Sequence, residues 1–272
     1  MHRLDKALLQ SGNTPLLGAA MYFYDPVFLE IVAQLGFNVV WIEMEHAAIT
    51  FAEATDLCRM AAGSGMLTMI RIPDTRRESV LKAAECGPDI IDVPMANSPD
   101  QLRELVKYAK FAPEGSRGSF SVSRAVNYGI AESVSEAQQH LNRDLCLMAQ
   151  VETMEAVERI EELCAIPGVD IFIGPADLAA SLGVPGQTSH PKVMEAARHT
   201  IEVAKRHNRR IATACGPDEF ANWLRVGVDL LFCTNDVVCL KTGALSALRQ
   251  ARDSIAQLGA EGFLTVQKRE VG

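Results

Sequence analysis

The sequence predicts an α/β fold, a single (β/α)8 TIM barrel, and three observations carry that expectation. Eight short β-branched runs alternate with segments of helical period along almost the whole chain. Most of the runs are nearly continuous in apolar residues, as in NVVWI, IIDV, DIFI and DLLF, which is how parallel strands buried on both faces read. The chain has 272 residues, close to the roughly 250 usual for this architecture. Periodicity alone also admits a doubly wound sheet. Against it, no GxGxxG follows the first strand, and neither GxxxxGKS nor GxxxxGKT occurs.

The expected strands are Leu16–Tyr22, Asn38–Glu43, Leu67–Ile72, Ile90–Pro94, Leu145–Val151, Asp170–Ile173, Arg210–Ala214 and Asp229–Cys233. Amphipathic helices are expected over Phe51–Ala62, Arg76–Ala84, Pro99–Lys110, Met154–Leu163, Pro191–Arg206 and Asp218–Val226. Their start signals include Ser98-Pro99-Asp100, Thr153 ahead of Glu155, and Pro217-Asp218. Gly168 and Gly227 stand where the chain leaves a helix, so a left-handed cap is expected at each. One connection, Phe111–Arg143, is long and carries PEGSRGSFSVSRAVNYG. Loops of that length are usually functional or mobile. Residues 1–272 read as one barrel domain, with 250–272 a helix end and a tail that either packs on a neighbour or stays loose.

The net charge of −8 argues against nucleic acid or an anionic membrane as the main partner, and no basic run interrupts it. The N-terminal MHRLDKALLQSGNTP lacks a secretory apolar core, and no apolar run has the length of a membrane span. Seven cysteines form no CxxC pair and sit in apolar segments, as reduced core cysteines do. The cytoplasm is the expected compartment.

Chemistry in such a barrel sits at the C-terminal ends of the strands, so the polar residues that end them are the candidates. Strand two ends in Glu43-Met44-Glu45-His46, strand three in Arg71, and strand five in Gln150-Val151-Glu152. Strand six runs into Gly174-Pro175-Ala176-Asp177, and strand eight into Thr234-Asn235-Asp236. Glu152 and Asp177 are the candidate ligands of a hard divalent cation, which prefers carboxylate oxygens. Alternatively Glu152 caps the next helix with Thr153, and Asp177 merely opens the segment ADLAASLG. Arg71 can grip a carboxylate with two parallel hydrogen bonds, or it forms an ordinary salt bridge to Glu43 or Glu45. His46, the one histidine of six at a strand end, is a candidate general acid or base. A purely structural histidine is the alternative. Glu43 and Glu45 stand beside it, and one of them can orient the imidazole. A Schiff-base mechanism would need a strand-end lysine. Lys82, Lys107, Lys110, Lys192, Lys205 and Lys241 fall on expected helices, which points away from imine chemistry.

The motif from Gln150-Val151-Glu152-Thr153-Met154 to Gly168-Val169-Asp170-Ile171-Phe172-Ile173-Gly174-Pro175-Ala176-Asp177 closely resembles the class II pyruvate aldolases of the HpcH/HpaI aldolase/citrate lyase family. The resemblance extends from about Thr14 to Leu248 and takes in Glu45-His46-Ala47, Arg71, Val93-Pro94-Met95 and the loop Pro113–Gly118. It implies a barrel of the phosphoenolpyruvate/pyruvate type. It also implies a divalent cation on Glu152 and Asp177, Mg2+ or Mn2+ first, with Co2+ and Zn2+ as alternatives. Pyruvate would chelate that cation, and the cation would stabilise the enolate formed when the carbon–carbon bond breaks. Arg71 would sit beside the keto oxygen, His46 or a nearby water would move the aldehyde proton, and Gln150 would support the site. Backbone groups of Gly174, Pro175, Ala176 and Asp177 would hold the substrate carboxylate. Where the family commonly has aspartates associated with the histidine, this chain has Glu43 and Glu85, each one methylene longer. Asn235 is a further candidate for the acceptor end. Homo-oligomers, commonly hexamers with exchanged helices, are implied as well.

The expected reaction is reversible retro-aldol cleavage of a 4-hydroxy-2-oxo acid to pyruvate and an aldehyde. The Gly115–Arg124 loop resembles the sugar-acid aldolases best and so suggests a polar aldehyde. The alternatives are enolate chemistry turned to oxaloacetate-type decarboxylation or to condensation with another 2-oxo acid, and a non-catalytic 2-oxo acid binder.

Overall fold

Eight parallel strands close into a barrel in sequence order. The structure is a computed structural model and describes residues 2–12, 14–130 and 133–261. The strands are β1 (Leu16–Met21), β2 (Val39–Glu43), β3 (Leu67–Arg71), β4 (Ile90–Val93), β5 (Cys146–Val151), β6 (Val169–Ile173), β7 (Ile211–Ala214) and β8 (Leu230–Asn235). Each lies within two residues of its expected bounds. The continuous apolar runs that predicted them follow from burial on both faces. Outward residues such as Val40, Ile42, Ile70 and Ile91 pack beneath the surrounding helices. Inward residues such as Val39, Trp41, Met69, Met148 and Phe172 fill the barrel.

The interior centres on three rings. Trp41 meets both Phe172 and Phe232 edge to face, with centroids 5.2 Å apart in each pair. Gly18 on β1 makes room for them, since a Cβ there would lie 2.4 Å from the Phe232 ring. At the N-terminal end the helix Arg3–Gln10 inserts Leu4 into the same cluster, and Arg3 pairs with Asp89 at 2.6 Å.

Most helices match the expected ones, with three differences. The segment Met154–Leu163 breaks at Arg159, where φ is −102° and ψ 12°, into Met154–Glu158 and Ile160–Cys164. Pro217–Glu219 forms a 3-10 turn, and the α-helix begins only at Phe220. The long connection is not one loop: it contains a helix, Val134–Asp144, with a capping box between Ser133 and Glu136. Gly168 and Gly227 take the expected left-handed conformation, at φ 77° and 89°.

Backbone packing divides the chain into two units, Met1–Thr234 and Asn235–Gly272. The second carries the helix Asp236–Glu261. Residues 262–272, most of the tail expected to pack on a neighbour or stay loose, lie outside the described residues. Among the described residues no helix is long and apolar enough to cross a membrane.

The long connection follows the helix Pro99–Ala109 and precedes β5, so it runs along the N-terminal side of the barrel. Its arginines brace that side. Arg124 donates from Nη1 to the carbonyls of Cys86 (2.9 Å) and Gly87 (2.8 Å), and from Nη2 to that of Cys58 (2.9 Å). One guanidinium thereby satisfies the C-terminus of the helix Arg77–Cys86 and ties it to the middle of the helix Phe51–Gly63. Arg124→Ala should destabilise the protein by about 1–3 kcal/mol, read from urea denaturation. A loss of only a few tenths would mean that water replaces the guanidinium without cost.

Candidate active site

Strand alternation decides which strand-end residues meet. Along β2 the inward positions are Val39, Trp41 and Glu43; along β3, Leu67, Met69 and Arg71; along β5, Cys146, Met148 and Gln150, with Glu152 next in phase. Glu43 pairs in register with Arg71, and Arg71 with Asp92. The charged side chains therefore sit one layer above the aromatic cluster, at the C-terminal mouth.

Arg71 is the centre of that layer. Its guanidinium lies 5.0 Å over the Trp41 ring. Nε donates to Glu43 Oε2 at 2.6 Å, and Nη1 reaches Gln150 Oε1 at 3.3 Å and Glu45 Oε2 at 3.2 Å. The salt bridges weighed as an alternative for Arg71 are therefore both present. Burial disfavours its charge, but the carboxylates of Glu43, Asp92 and Glu45 outweigh that and hold its pKa above the ordinary value.

Glu43 is fully buried and uses both oxygens. Besides Arg71 it accepts the backbone N–H groups of Glu45 (2.7 Å) and His46 (3.0 Å). It thus orders the turn that presents the histidine and does not touch the imidazole itself. That contact belongs to Glu45, whose Oε2 stands 3.5 Å from His46 Nε2. Burial raises the Glu45 carboxyl, with Arg71 and His46 opposing.

Glu152 does not cap the helix after β5. Thr153 does so, accepting the Ala156 N–H at 3.1 Å. Glu152 instead accepts the Met95 N–H on Oε1 at 2.7 Å, while its buried Oε2 has no hydrogen-bond partner. Met95 holds φ at 49°, a left-handed conformation costly for a side chain with a Cβ, which fixes its N–H on the carboxylate. Burial, opposed by the Met95 hydrogen bond and reinforced by Asp177, lifts the Glu152 pKa to about 7. Asp177 is exposed in the first turn of the helix Pro175–Ser181. Gly174 fits tightly against Glu152: a Cβ there would lie 2.5 Å from Oε2.

Those observations suit a divalent cation. Three buried carboxylate oxygens here, Glu152 Oε2 and both of Asp92, have no hydrogen-bond partner. Among the described residues no three His, Cys, Asp or Glu side chains form a complete metal cluster. Two carboxylates, with water and substrate completing the sphere, are how such cations are commonly held.

Three candidates are placed differently from expectation. Glu85 is the penultimate residue of the helix Arg77–Cys86, which returns to the start of β4 at the opposite end of the barrel from His46. There its Oε1 accepts from Arg117 Nη2 at 2.8 Å and Nε at 3.1 Å. Asn235 belongs to the second unit, where its Oδ1 caps Val238 N–H at 2.8 Å. Pro175 has no N–H, and that of Gly174 is donated to Val151 O at 3.2 Å, so first-turn donors for an anion are left to Ala176 and Asp177. The Gly115–Arg124 loop behind the polar-aldehyde expectation lies, within this chain, on the N-terminal side. Asp92 was missed; its inward phase in the run IIDV was the available signal.

A closed parallel barrel with its charged groups gathered at the C-terminal mouth is the arrangement of an enzyme. The chain belongs to the HpcH/HpaI aldolase/citrate lyase family, whose sequence profile matches residues 22–220. It is accordingly an enzyme of the carbon–carbon lyase class. A hydroxypyruvate/pyruvate aldolase of Sagittula stellata is 34% identical over 192 residues, covering 70% of this chain and 74% of that protein. A 2-keto-3-deoxy-L-rhamnonate aldolase of Escherichia coli is 32% identical over 216 residues, 74% of this chain and 78% of that one. The crystal structure of an HpcH/HpaI aldolase from Desulfitobacterium hafniense superposes with a TM-score of 0.84 at 30% identity, covering 91% and 96% of the two chains.

A pH-dependent stability follows for the metal-free protein. Folding raises the Glu152 pKa from 4.5 to about 7, so its contribution is full below 4.5 and is lost as pH rises through 7. At about 1.4 kcal/mol per unit the loss reaches up to about 3 kcal/mol. Melting temperature should therefore fall more steeply between pH 5.5 and 8 in the EDTA-treated wild type than in Glu152→Gln. Equal slopes would show that no proton is held there.

Proposed function

We propose that this protein is a metal-dependent aldolase that reversibly cleaves a 4-hydroxy-2-oxo acid to a pyruvate-type 2-oxo acid and an aldehyde. The observation that carries the reading is the juxtaposition at one mouth of a braced guanidinium, Arg71, and a buried carboxylate with a donor-free oxygen, Glu152. The aldolase relatives support it, and the first of them extends the nucleophile to hydroxypyruvate. Glu152 and Asp177 would hold the cation, Mg2+ or Mn2+, which when bound supplies Lewis-acid stabilisation of enolate charge.

The chain's own residues supply the rest. Arg71, locked by Glu43 and Gln150, directs its remaining N–H groups at the oxygen where negative charge develops, and does so without reorganising. The amides of Ala176 and Asp177 orient the substrate carboxylate. His46, exposed at the rim with Glu45 behind it, takes the hydroxyl proton in cleavage and returns it in synthesis. Glu43 positions both Arg71 and the histidine turn. The family resemblance also supports a homo-oligomer, with a hexamer favoured, and a cytoplasmic location. Light scattering on the purified protein reads the assembly directly.

Pyruvate enolisation tests the core of this reading. In D2O the methyl proton signal of pyruvate should decay with wild-type enzyme plus Mn2+ or Mg2+, and not after EDTA treatment or in Glu152→Ala. Arg71→Lys, which cannot reproduce the planar fork, should slow exchange by about 10²–10³-fold. If pyruvate binds with metal but exchanges under no condition, the aldolase reading is lost. Gly174→Ala should lower the exchange rate at least tenfold, an estimate of about 1.4 kcal/mol for shifting Glu152, with little change in melting temperature. An unchanged rate would mean that the Glu152 position is not critical.

A further inference from the structure

One carboxyl of the barrel has no part in the roles above. Asp92 lies on β4 in register with Arg71 on β3 and Met148 on β5, and shares the inward phase of Ile90. It is fully buried, yet neither of its oxygens has a hydrogen-bond partner. The other buried aspartates inside the barrel strands and their approaches are satisfied. Asp89 accepts the Thr68 N–H at 2.8 Å and pairs with Arg3, and Asp170 accepts the Arg210 N–H at 3.0 Å and pairs with its guanidinium. An apolar side chain at position 92 would simply extend the packing of Ile90, so the acid is a burden to the fold as it stands.

Its surroundings show what it faces. Burial pushes the Asp92 carboxyl well above its ordinary range; Arg71 opposes this, and Glu152, Glu43 and Glu45 add to it. Asp92 therefore lies under Arg71 and within the field of Glu152, on the interior side of the site. Glu152 Oε2 lacks a donor as well. Acceptors gathered in this way, with one guanidinium already committed to Glu43, call for further donors brought in with a ligand. Hydrated cations carry such donors, and carboxylates around a metal characteristically accept from them.

We propose that Asp92 is a positioning residue of the cation site, accepting hydrogen bonds from the cation's hydration water on the interior side and so holding that water against Glu152. The inference rests on the reading that Glu152 and Asp177 bind the cation. It assigns Asp92 no contact with substrate.

The test is Mn2+ affinity, read by the EPR signal of free Mn2+ during titration of EDTA-stripped enzyme, without substrate or turnover. Wild type, Asp92→Asn, Asp92→Leu and Glu152→Ala are compared, with the melting temperature of each metal-free protein. Both Asp92 variants should bind Mn2+ about 10–100-fold more weakly. Metal-free Asp92→Leu, which removes the unpartnered carboxyl while keeping its branched shape, should melt at or above the wild-type temperature. Affinity within about twofold of wild type in both Asp92 variants, with Glu152→Ala still losing the metal, overturns the role of Asp92 alone. Absence of Mn2+ binding in the wild type overturns the cation reading and this inference with it. Metal-free Asp92 variants that both melt well below wild type would make the residue structural and overturn the proposal too.

Discussion

A guanidinium buried inside the barrel is the constraint on which the mouth of this protein depends. Arg71 cannot lie over Trp41, nearly out of reach of water, unless acceptors surround it. Glu43, Glu45 and Gln150 gather there for that reason. Glu43 does most of the holding, because its second oxygen also ties down the backbone of Glu45 and His46. Arg71 and His46, the proposed anion anchor and acid–base group, are thus located by one carboxylate. A side chain of glutamate length spans from the strand to both partners, which accounts for its use at this position without any contact with the imidazole.

The two ends of the barrel treat buried charge in opposite ways. At the N-terminal end Asp89, Asp170 and Glu85 each have arginine partners, and Arg124 satisfies the carbonyls at one helix end and ties it to a second helix. Those groups bind the fold together, and of their carboxylate oxygens Glu85 Oε2 alone is left without a hydrogen-bond partner. At the C-terminal end the carboxylates outnumber the donors, and oxygens of Asp92 and Glu152 stay unpartnered. Excess acceptors lower stability, a cost the proposed cation would offset at the face where enzymes of this architecture carry their active sites. Met95, held left-handed so that its N–H meets Glu152, carries the same cost in its backbone.

Sequence reading did well where a pattern is local. Parallel strands buried on both faces need uninterrupted apolar runs, so all eight were visible within two residues of their bounds. Strand ends then pointed to Glu43, Arg71, Gln150 and Glu152. It did less well where a residue's partner lies far along the chain. Glu85 looked catalytic by position in a motif, yet its helix carries it to the other end of the barrel and to Arg117. The helix Val134–Asp144 was read as loop although Ser133 and Glu136 spell its capping box, because the glycine- and serine-rich stretch before it dominated the reading.

What the sequence by itself determined was the barrel, its strand phase and most of the polar residues at its mouth, because hydrophobic periodicity and motif spacing are properties of neighbouring residues. Only the tertiary structure decided how those polar residues divide their hydrogen bonds. It gave Glu43 to Arg71 and the turn, set Glu45 beside His46, left Glu152 and Asp92 with unpartnered oxygens, and committed Asn235 to a helix cap. Those assignments depend on register between strands and on which donors happen to be within about 3 Å, and neither is written in any single stretch of chain.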